Sequence, residues 1–280
     1  KTVAEICSDL YISLWSIHFA IRPAKLFDGV EQRLTILIGC HGSSDGGWHT
    51  SKYHQWFSDE RPDLFSRLML ASMPQRRSKQ SPWPKIGSPT EARILEKLRR
   101  FEDSPAHLLL TDSSKWIMYF HRTPGYWIRM LDFLPFFESP AGDRSVHHIR
   151  ELYATSEAAR AEIAGLGSSS LYFWWFFAIG NCRNLTKGDL LGFPAPRLDA
   201  GGAVEIVRIF NELMKSYKDN SSVKSRAKAR YQEFDWVAAK PSVDAMDEFF
   251  AKVFGLTDEE LDFVINYDIK VRVGDVAEGI

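Results

Sequence analysis

The residues best suited to chemistry in this sequence are basic side chains gathered in two segments. Residues 215–230 carry six Lys or Arg, and residues 76–85 carry four, with Trp83 among them. Cations at this density can neutralise phosphates, and each such contact adds salt-sensitive affinity. Two plainer interpretations stay open at this point: a solvated linker after a helix for 215–230, and an exposed loop for 76–85.

Aromatic and amide side chains adjoin a third segment. The run from Tyr172 to Phe177 places six rings in succession, and such rings can stack on nucleic-acid bases. Six consecutive rings cannot all face one groove, so we expect the run to pack in a core. Residues 181–184, Asn-Cys-Arg-Asn, follow it with amide and guanidinium groups that can read base edges, or that simply form a turn.

No complete catalytic site is visible in the sequence. No asparagine precedes a proline, and neither an HExxH zinc motif nor a phosphate-binding loop occurs. The step Gly165-Leu166-Gly167 is interpreted as a helix stop, because it follows a helical segment and lacks the third glycine of a cofactor loop.

Two weaker clusters have the right residue types but unconvincing spacing. One combines a thiol with imidazoles: Cys40, His41, His49 and His54. Its spacing fits no common zinc site, so surface histidines are the preferred interpretation and no metal is predicted. The other could serve a nuclease, although surface helices commonly carry such residues: Lys52, Asp59, Glu60 and Asp63. A nuclease is therefore the lowest-ranked function.

Composition limits the class of protein. The 280 residues are 45% hydrophobic and 25% charged, with 35 basic against 36 acidic side chains, a net charge of −1. This balance excludes binding to nucleic acid or anionic membrane through bulk charge alone, but not through local basic faces. Three distant cysteines indicate a reducing cytoplasm, and the longest apolar run, 171–179, is shorter than the roughly 20 residues of a membrane-spanning helix.

The elements that must position these residues are mixed. Residues 14–21 and 33–39 have the aromatic and β-branched content of strands, and the Pro- and Gly-containing residues 22–32 form a loop between them. Helices are expected near 156–164, 203–218 and 241–253. We therefore predict an α+β fold. Because the chain opens at Lys1 inside a helical pattern, we expect it to be a piece of a longer protein.

Several segments together resemble a known family. Residues 19–36 (FAIRPAKLFDGVEQRLTI) look like the last strand pair of adenine-specific DNA methyltransferases of the type IIG restriction–modification kind. Residues 167–194, with their aromatic run, polar loop and Phe-Pro exit, resemble the TaqI-like specificity domain of the same enzymes. Residues 231–234 and 255–270 resemble that family's C-terminal end. The resemblance is loose but runs in the family's order from one end of the chain to the other.

The resemblance implies that catalysis and DNA recognition belong to different parts of the enzyme. Such enzymes transfer a methyl group from S-adenosylmethionine to the exocyclic nitrogen of adenine, using a Gly-rich motif and an Asn-Pro-Pro-aromatic tetrapeptide that are both missing here. Residues 1–42 would be the β-hairpin tail of the Rossmann-like catalytic domain, and residues 43–280 the mixed α/β target-recognition domain. The chain alone is expected to be inactive and not to bind the cofactor. Its partners would be double-stranded DNA, the preceding methyltransferase domain and other restriction–modification subunits, with no membrane.

Site residues follow from the resemblance and from side-chain chemistry. An aromatic in the loop between the last two strands faces the flipped adenine in this family, and Phe27 occupies that position; alternatively Phe27 plugs the hairpin onto the core. Where this chain has Gly180-Asn181-Cys182-Arg183, the family often has a Gly-rich or Ser-Asp segment, so base-reading residues cannot be transferred one by one. Lys25 and Arg33 flank Phe27 and are expected to contact backbone phosphate. The residues expected to read bases, from their chemistry and position, are Arg122, Arg129, Arg144, Arg183 and Asn184. The other predicted DNA-binding residues are Arg76, Arg77, Lys187, Lys224 and Arg226.

Two functions from different classes therefore stand at this stage. The first is DNA sequence recognition within a methyltransferase of a restriction–modification or phage-defence system. The second is a protein-interaction or scaffold module of a defence complex that no longer reads DNA. Near-neutral charge predicts that the isolated chain binds DNA weakly.

Overall fold

A computed structural model describes residues 6–7, 10–41, 47–73, 82–142 and 148–273. Within these residues the chain has the mixed α+β composition that the sequence predicts, with its strands in three small sheets. The strands are β1 (Ser13–Phe19), β2 (Leu34–Cys40), β3 (Trp48–His54), β4 (Ala71–Ser72), β5 (Leu109–Leu110), β6 (Ile117–His121), β7 (Met130–Leu131), β8 (Phe137–Glu138), β9 (Ile149–Ala154), β10 (Ser221–Arg226) and β11 (Ala229–Phe234). The α-helices are α1 (Pro89–Leu98), α2 (Glu157–Ser168), α3 (Ser170–Ala178), α4 (Lys187–Leu191), α5 (Ala200–Asp219), α6 (Trp236–Phe254), α7 (Asp258–Ile265) and α8 (Ile269–Val273).

The chain divides into two compact units that are not continuous in sequence. The first comprises Lys1–Glu96, Trp175–Asn181 and Asp268–Ile280, and the second comprises Lys97–Trp174 and Cys182–Tyr267. The chain therefore leaves the first unit and returns to it twice. The predicted division at residue 42 falls inside the first unit, and as a boundary between parent domains it stays a prediction.

Strand β1 organises the sheet of the first unit, whose order is β2-β1-β3-β4. It pairs antiparallel with β2, from Ser13 opposite Cys40 to Phe19 opposite Leu34, and parallel with β3. The two strands predicted from residues 14–21 and 33–39 are thus confirmed as a hairpin. Strand β2 lies at the edge of this sheet, and Ile38 on it is 53% exposed.

A row of polar side chains crosses three adjacent strands of this sheet, β2, β1 and β3. The His18 ring lies between two hydroxyls, with Nδ1 3.0 Å from Thr35 Oγ1 and Nε2 3.3 Å from Thr50 Oγ1. Burial, helped by the nearby Lys85 and His54, lowers the pKa of His18 to about 3. A neutral imidazole can donate from one nitrogen and accept at the other, so His18 links β2, β1 and β3 without burying a charge.

An ion pair fastens the last helix of the first unit to β3. Lys52 Nζ on β3 pairs with the buried carboxylate of Asp268, which directly precedes α8. Burial raises the pKa of Asp268, while Lys52 and the buried Arg272 act in the opposite direction. A carboxylate in such surroundings is tolerated only because cations accompany it.

The second unit is built on three helices and two small sheets. Helix α5 packs against α2 and α6, while one sheet has the order β5-β9-β6-β7 and the other the order β10-β11-β8. Helix α2 does not stop at Gly165 as the sequence suggested. A Cβ on Gly165 would collide with the Met246 side chain and one on Gly167 with Met130, so both glycines permit close packing inside the helix.

The aromatic run forms helix α3 and is buried along its whole length. Each ring from Tyr172 to Phe177 is at most 7% exposed, so the expectation of core packing is confirmed. The start of the helix is capped from a distance, since Asp247 Oδ1 accepts hydrogen bonds from the Ser170 and Leu171 backbone amides at 2.7 and 3.4 Å. In the described part of the chain, no helix combines the length and the apolarity needed to cross a membrane.

Candidate nucleic-acid interface

The loop of residues 20–33, which joins β1 to β2, presents an aromatic ring to solvent. Leu26 is only 6% exposed and packs with Phe19 and Trp56, whereas the adjacent Phe27 is 57% exposed. The alternative that Phe27 plugs the hairpin onto the core is therefore wrong, because Leu26 fills that role. Gly29, at φ +76°, permits the turn that follows.

This loop is held by a single arginine. The Arg61 guanidinium donates to the Leu26 carbonyl at 3.0 Å and to the Lys25 carbonyl at 2.7 Å, while its carbon lies 4.9 Å from the centre of the Trp56 ring. The Ala24 amide also donates to the Trp56 carbonyl at 2.9 Å. The backbone beneath Phe27 is thus fixed before any partner arrives.

Most of the charged side chains around Phe27 form ion pairs with one another within the loop. Lys25 pairs with Glu31, and Arg22 lies 3.4 Å from the same carboxylate. The hydrogen bond from Lys25 is the main cause that lowers the pKa of Glu31. Arg33 is exposed and belongs to no ion pair of the described residues, so of the two predicted phosphate contacts in this loop only Arg33 carries an uncompensated charge.

The second part of the candidate interface is a basic β-hairpin in the second unit. Strands β10 and β11 pair from Ser221 opposite Phe234 to Arg226 opposite Ala229. The turn between them is Ala227-Lys228, with both residues at positive φ, 49° and 64°. The linker interpretation of residues 215–230 is therefore wrong for 221–230, which form a regular two-stranded ribbon.

The base of this hairpin is anchored. Phe234 is 7% exposed and lies against Tyr217, with ring centres 5.6 Å apart. The Gln232 amide donates to the Phe136 carbonyl at 2.9 Å, and Arg230 pairs with Glu138 at 3.0 Å. The ribbon is therefore fixed at its base, while β10 is exposed along almost its whole length.

Three cations at the outer end of the hairpin have no partner among the described residues: Lys224, Arg226 and Lys228. Because directly opposed residues of an antiparallel pair project to the same side, Lys224 and Arg226 share one face with Tyr231 and Ala229. The cations before the hairpin differ, since Lys215 pairs with Asp219 at 2.6 Å and Lys218 with Asp132 at 3.2 Å. Only the hairpin half of the basic segment offers free positive charge.

A polar cavity of about 140 Å³ lies in the second unit, in the loop that follows β6. Its walls include His121, Thr123, Gly125, Trp127 and Arg129. Trp127 is stacked on Trp236 with ring centres 4.5 Å apart, and the Arg129 guanidinium lies 5.3 Å from the centre of the Phe234 ring. The cavity thus adjoins the base of the hairpin.

Two predicted base-reading residues lie next to this cavity. The Arg122 carbonyl accepts from the Leu185 amide at 2.7 Å, and the Thr123 hydroxyl lies 3.4 Å from Asn184 Oδ1. The exposed side chains of Arg183 and Lys187 belong to the same connection, Lys187 being the first residue of α4. The structure therefore gathers five sequence-predicted residues around two adjoining loops: Arg122, Arg129, Arg183, Asn184 and Lys187.

Three of the predicted DNA-binding residues, Arg76, Arg77 and Arg144, lie outside the described residues. Two residues of the site were missed by sequence reasoning: His121 and Trp127. Lys228 belongs to the basic segment 215–230, whose cations the sequence already marked as able to neutralise phosphates. No sequence signal placed Trp127 against Trp236, which is more than a hundred residues away.

The residues considered for a nuclease serve structural roles. Glu60 accepts a hydrogen bond from the Phe57 amide at 2.8 Å and pairs with Lys270 at 3.1 Å, while Lys52 is committed to Asp268. Among the described residues, no group of three or more His, Cys, Asp or Glu is placed to hold a metal ion. His54, from the other sequence cluster, is buried rather than on the surface as expected.

The candidate interface thus consists of the basic hairpin, the exposed Phe27 ring and the polar cavity. No family model, curated protein or solved structure matches this chain.

Proposed function

We propose that this chain recognises double-stranded DNA as the specificity part of an adenine-N6 methyltransferase from a restriction–modification or phage-defence system. The basic hairpin carries the proposal. A two-stranded β-ribbon fits the major groove of B-DNA, which is about 12 Å wide. Lys224, Arg226 and Lys228 have no carboxylate partners among the described residues, so their charges are available to phosphates.

The Phe27 loop supports the same proposal. Enzymes that modify a base must extrude it from the duplex and hold it by stacking. A 57% exposed ring on a braced loop suits that task, because little conformational entropy is lost when it binds. Phe27 lies in the loop between two paired strands, which is where the sequence resemblance places the aromatic side chain that faces the flipped adenine.

The methyl donor would be bound by a preceding Rossmann-like domain rather than by these residues. S-adenosylmethionine carries a sulfonium and an ammonium group, which call for acidic or aromatic surroundings. The cavity after β6 instead presents Arg129 and His121 and, at about 140 Å³, is smaller than the usual 300–1,000 Å³ of cofactor sites. The cavity does not fit this cofactor, and we derive no catalytic step from it.

One observation favours the alternative, a protein-interaction module of a defence complex. Strand β2 is an edge of its sheet among the described residues, and its Leu37 and Ile38 are 38% and 53% exposed. An apolar, unpaired strand edge is a typical place for strand addition by another chain. DNA binding separates the two functions.

The test measures binding of the chain to a fluorescent duplex by anisotropy at about 50 and 200 mM salt. We expect weak, salt-sensitive binding. Replacement of Lys224, Arg226 and Lys228 by Ala should reduce the slope of log K against log salt by about 2 to 3, given about 0.9 for each phosphate contact.

The matched control removes three cations that already have carboxylate partners one helical turn away: Arg208, Lys215 and Lys240. It changes the net charge by the same amount, so only the hairpin variant should alter the slope. Equal effects of the two variants, or no duplex binding by the wild-type chain at about 50 mM salt, would contradict the proposal and favour the scaffold function.

A further inference from the structure

The cavity after β6 contains an arginine whose charge is not neutralised. In the part of the chain that the structure describes, the Arg129 guanidinium has no hydrogen bond or ion pair, and its closest recorded contact is the Phe234 ring at 5.3 Å. Burial lowers the pKa of Arg129, although Tyr217 and Glu233 act against this from a distance. An arginine remains protonated even so, which leaves a half-buried cation facing the cavity.

The other walls of the cavity add donors and space but no negative charge. Thr123 supplies a hydroxyl, His121 an imidazole, and Gly125 a stretch of backbone that has no side chain and no neighbour within 4 Å of a Cβ position. None of the described lining residues is an Asp or Glu. Burial is the main cause that lowers the pKa of His121, and the charges of Arg129 and His148 act in the same direction.

A nucleobase suits this cavity less well than an anion does. A base is held mainly by stacking on a free aromatic face. Trp127 already stacks on Trp236, with ring planes 19° apart and centres 4.5 Å apart. The polar groups of the walls are the Arg129 guanidinium, the His121 imidazole and the Thr123 hydroxyl, which is a donor set for oxyanions. The hydroxyl donates to Asn184 Oδ1 at 3.4 Å and would exchange this bond for one to the ligand.

We propose that the cavity after β6 binds a phosphate group, with Arg129 as the principal ligand and Thr123 and His121 as additional hydrogen-bonding partners. This revises the role predicted for Arg129 from reading a base edge to fixing a phosphate. A buried arginine can hold two oxygens of one phosphate in parallel hydrogen bonds. Such a contact would set the register of the chain on DNA without reading sequence.

The inference rests on the proposed function only for the source of the phosphate, which is either the DNA backbone or free phosphate. The experiment uses the full chain with ring-labelled histidine, and the His121 signals are assigned by comparison with His121→Gln. Sodium phosphate is titrated against sodium chloride at constant ionic strength. We expect the His121 signals to shift along a saturable curve with a Kd of about 1 mM or tighter, and only with phosphate.

Two substitutions at Arg129 test its part in binding. Arg129→Met should weaken phosphate binding at least about tenfold, whereas Arg129→Lys, which keeps the charge but loses the planar fork, should retain part of it. Arg197→Met is the control, since Arg197 is an exposed arginine of the same unit that pairs with Asp103 at 3.2 Å and lies away from the cavity. Unchanged histidine spectra outside His121 verify that the Arg129 variants fold.

The outcomes separate this inference from the proposed function. Absence of a phosphate-specific shift at His121, or equal binding by wild type and Arg129→Met, overturns the inference even when the duplex binds. A phosphate shift that duplex DNA reproduces identifies the backbone as the source. A phosphate shift that duplex DNA does not reproduce supports the site with free phosphate as its ligand, whether or not the proposed function survives.

Discussion

The Phe27 loop and the β10–β11 hairpin are both anchored turns, but they differ in whether their cations are paired. In the loop, Lys25 and Arg22 are engaged with Glu31, and Arg61 is engaged with backbone carbonyls, so that an apolar ring is what remains exposed. In the hairpin, Lys224 and Arg226 have no partners in the part of the chain that the structure describes, and the buried Phe234 anchors the ribbon. The loop is therefore suited to a contact of short range, and the hairpin to attraction at long range.

The largest expected difference concerns two neighbouring residues of the loop. Leu26→Ala should lower the free energy of unfolding by about 2 to 4 kcal/mol, because a buried side chain leaves a cavity beside Phe19 and Trp56. Phe27→Ala should change it by no more than about 0.5 kcal/mol, because the ring is largely in water. Urea unfolding measures both. A Phe27→Ala variant as unstable as Leu26→Ala would place the ring in the core after all.

The next effect tests whether the loop is braced as described. Arg61→Ala removes two hydrogen bonds to carbonyls and the contact with Trp56, which should cost about 1 to 2 kcal/mol of unfolding free energy. Arg67→Ala is the control, because the exposed Arg67 side chain has ion pairs only with Glu60 and Asp63 among the described residues, and it should cost under about 1 kcal/mol. Similar losses in the two variants would remove Arg61 from its bracing role.

The two turns should respond in opposite directions to substitutions at positive φ. Gly29→Ala introduces a Cβ at φ +76° and should destabilise the loop by about 1 kcal/mol, although nothing lies within 4 Å of that position. Ala227→Asn with Lys228→Gly supplies the residues that a two-residue hairpin turn prefers, and should stabilise the chain by about 0.5 to 1 kcal/mol. Thermal unfolding measures both changes. A hairpin that loses stability on acquiring Asn-Gly would contradict the turn geometry.

The smallest effect distinguishes the regions by pH. The pKa of Glu31 is lowered in the folded chain, chiefly by its hydrogen bond from Lys25, so its contribution is complete above the ordinary value of 4.5 and is lost as pH falls through the folded pKa. Acidification should therefore increase the mobility of residues 22–31. The hairpin tip has no carboxylate partner within the described ranges and should not change in this range. Amide NMR signals of both segments followed between about pH 6 and pH 3 provide the measurement.

The sequence was a good guide where structure depends on neighbouring residues. The strand pair around the Phe27 loop and the burial of the aromatic run followed from local pattern and were confirmed. It could not choose between Leu26 and Phe27 as the buried residue, because both are apolar. The choice is made by Trp56 and Arg61, which approach from about 30 residues away.

The hairpin illustrates a different limit. Residues 221–234 lack the Asn-Gly or Asp-Gly signal of a tight turn and are largely polar on both faces, so the composition left a solvated linker open. The hairpin forms because β11 pairs with β8 and because Phe234 is buried. Neither contact can be inferred from the residues next to the hairpin in the sequence. The same holds for Gly165, where the close approach of Met246 keeps the helix going through a residue that usually ends one.

The pair between Lys52 and Asp268 has a consequence for the order in which the chain is made. These residues are 216 positions apart, and the first unit needs Asp268 to accompany Lys52. At about 5 to 20 residues per second, a ribosome takes roughly 10 to 40 s to synthesise the intervening chain. During that interval the sheet of the first unit exists without its last helix, while the second unit is being completed. The packing of the first unit is therefore completed last, although its strands are made first.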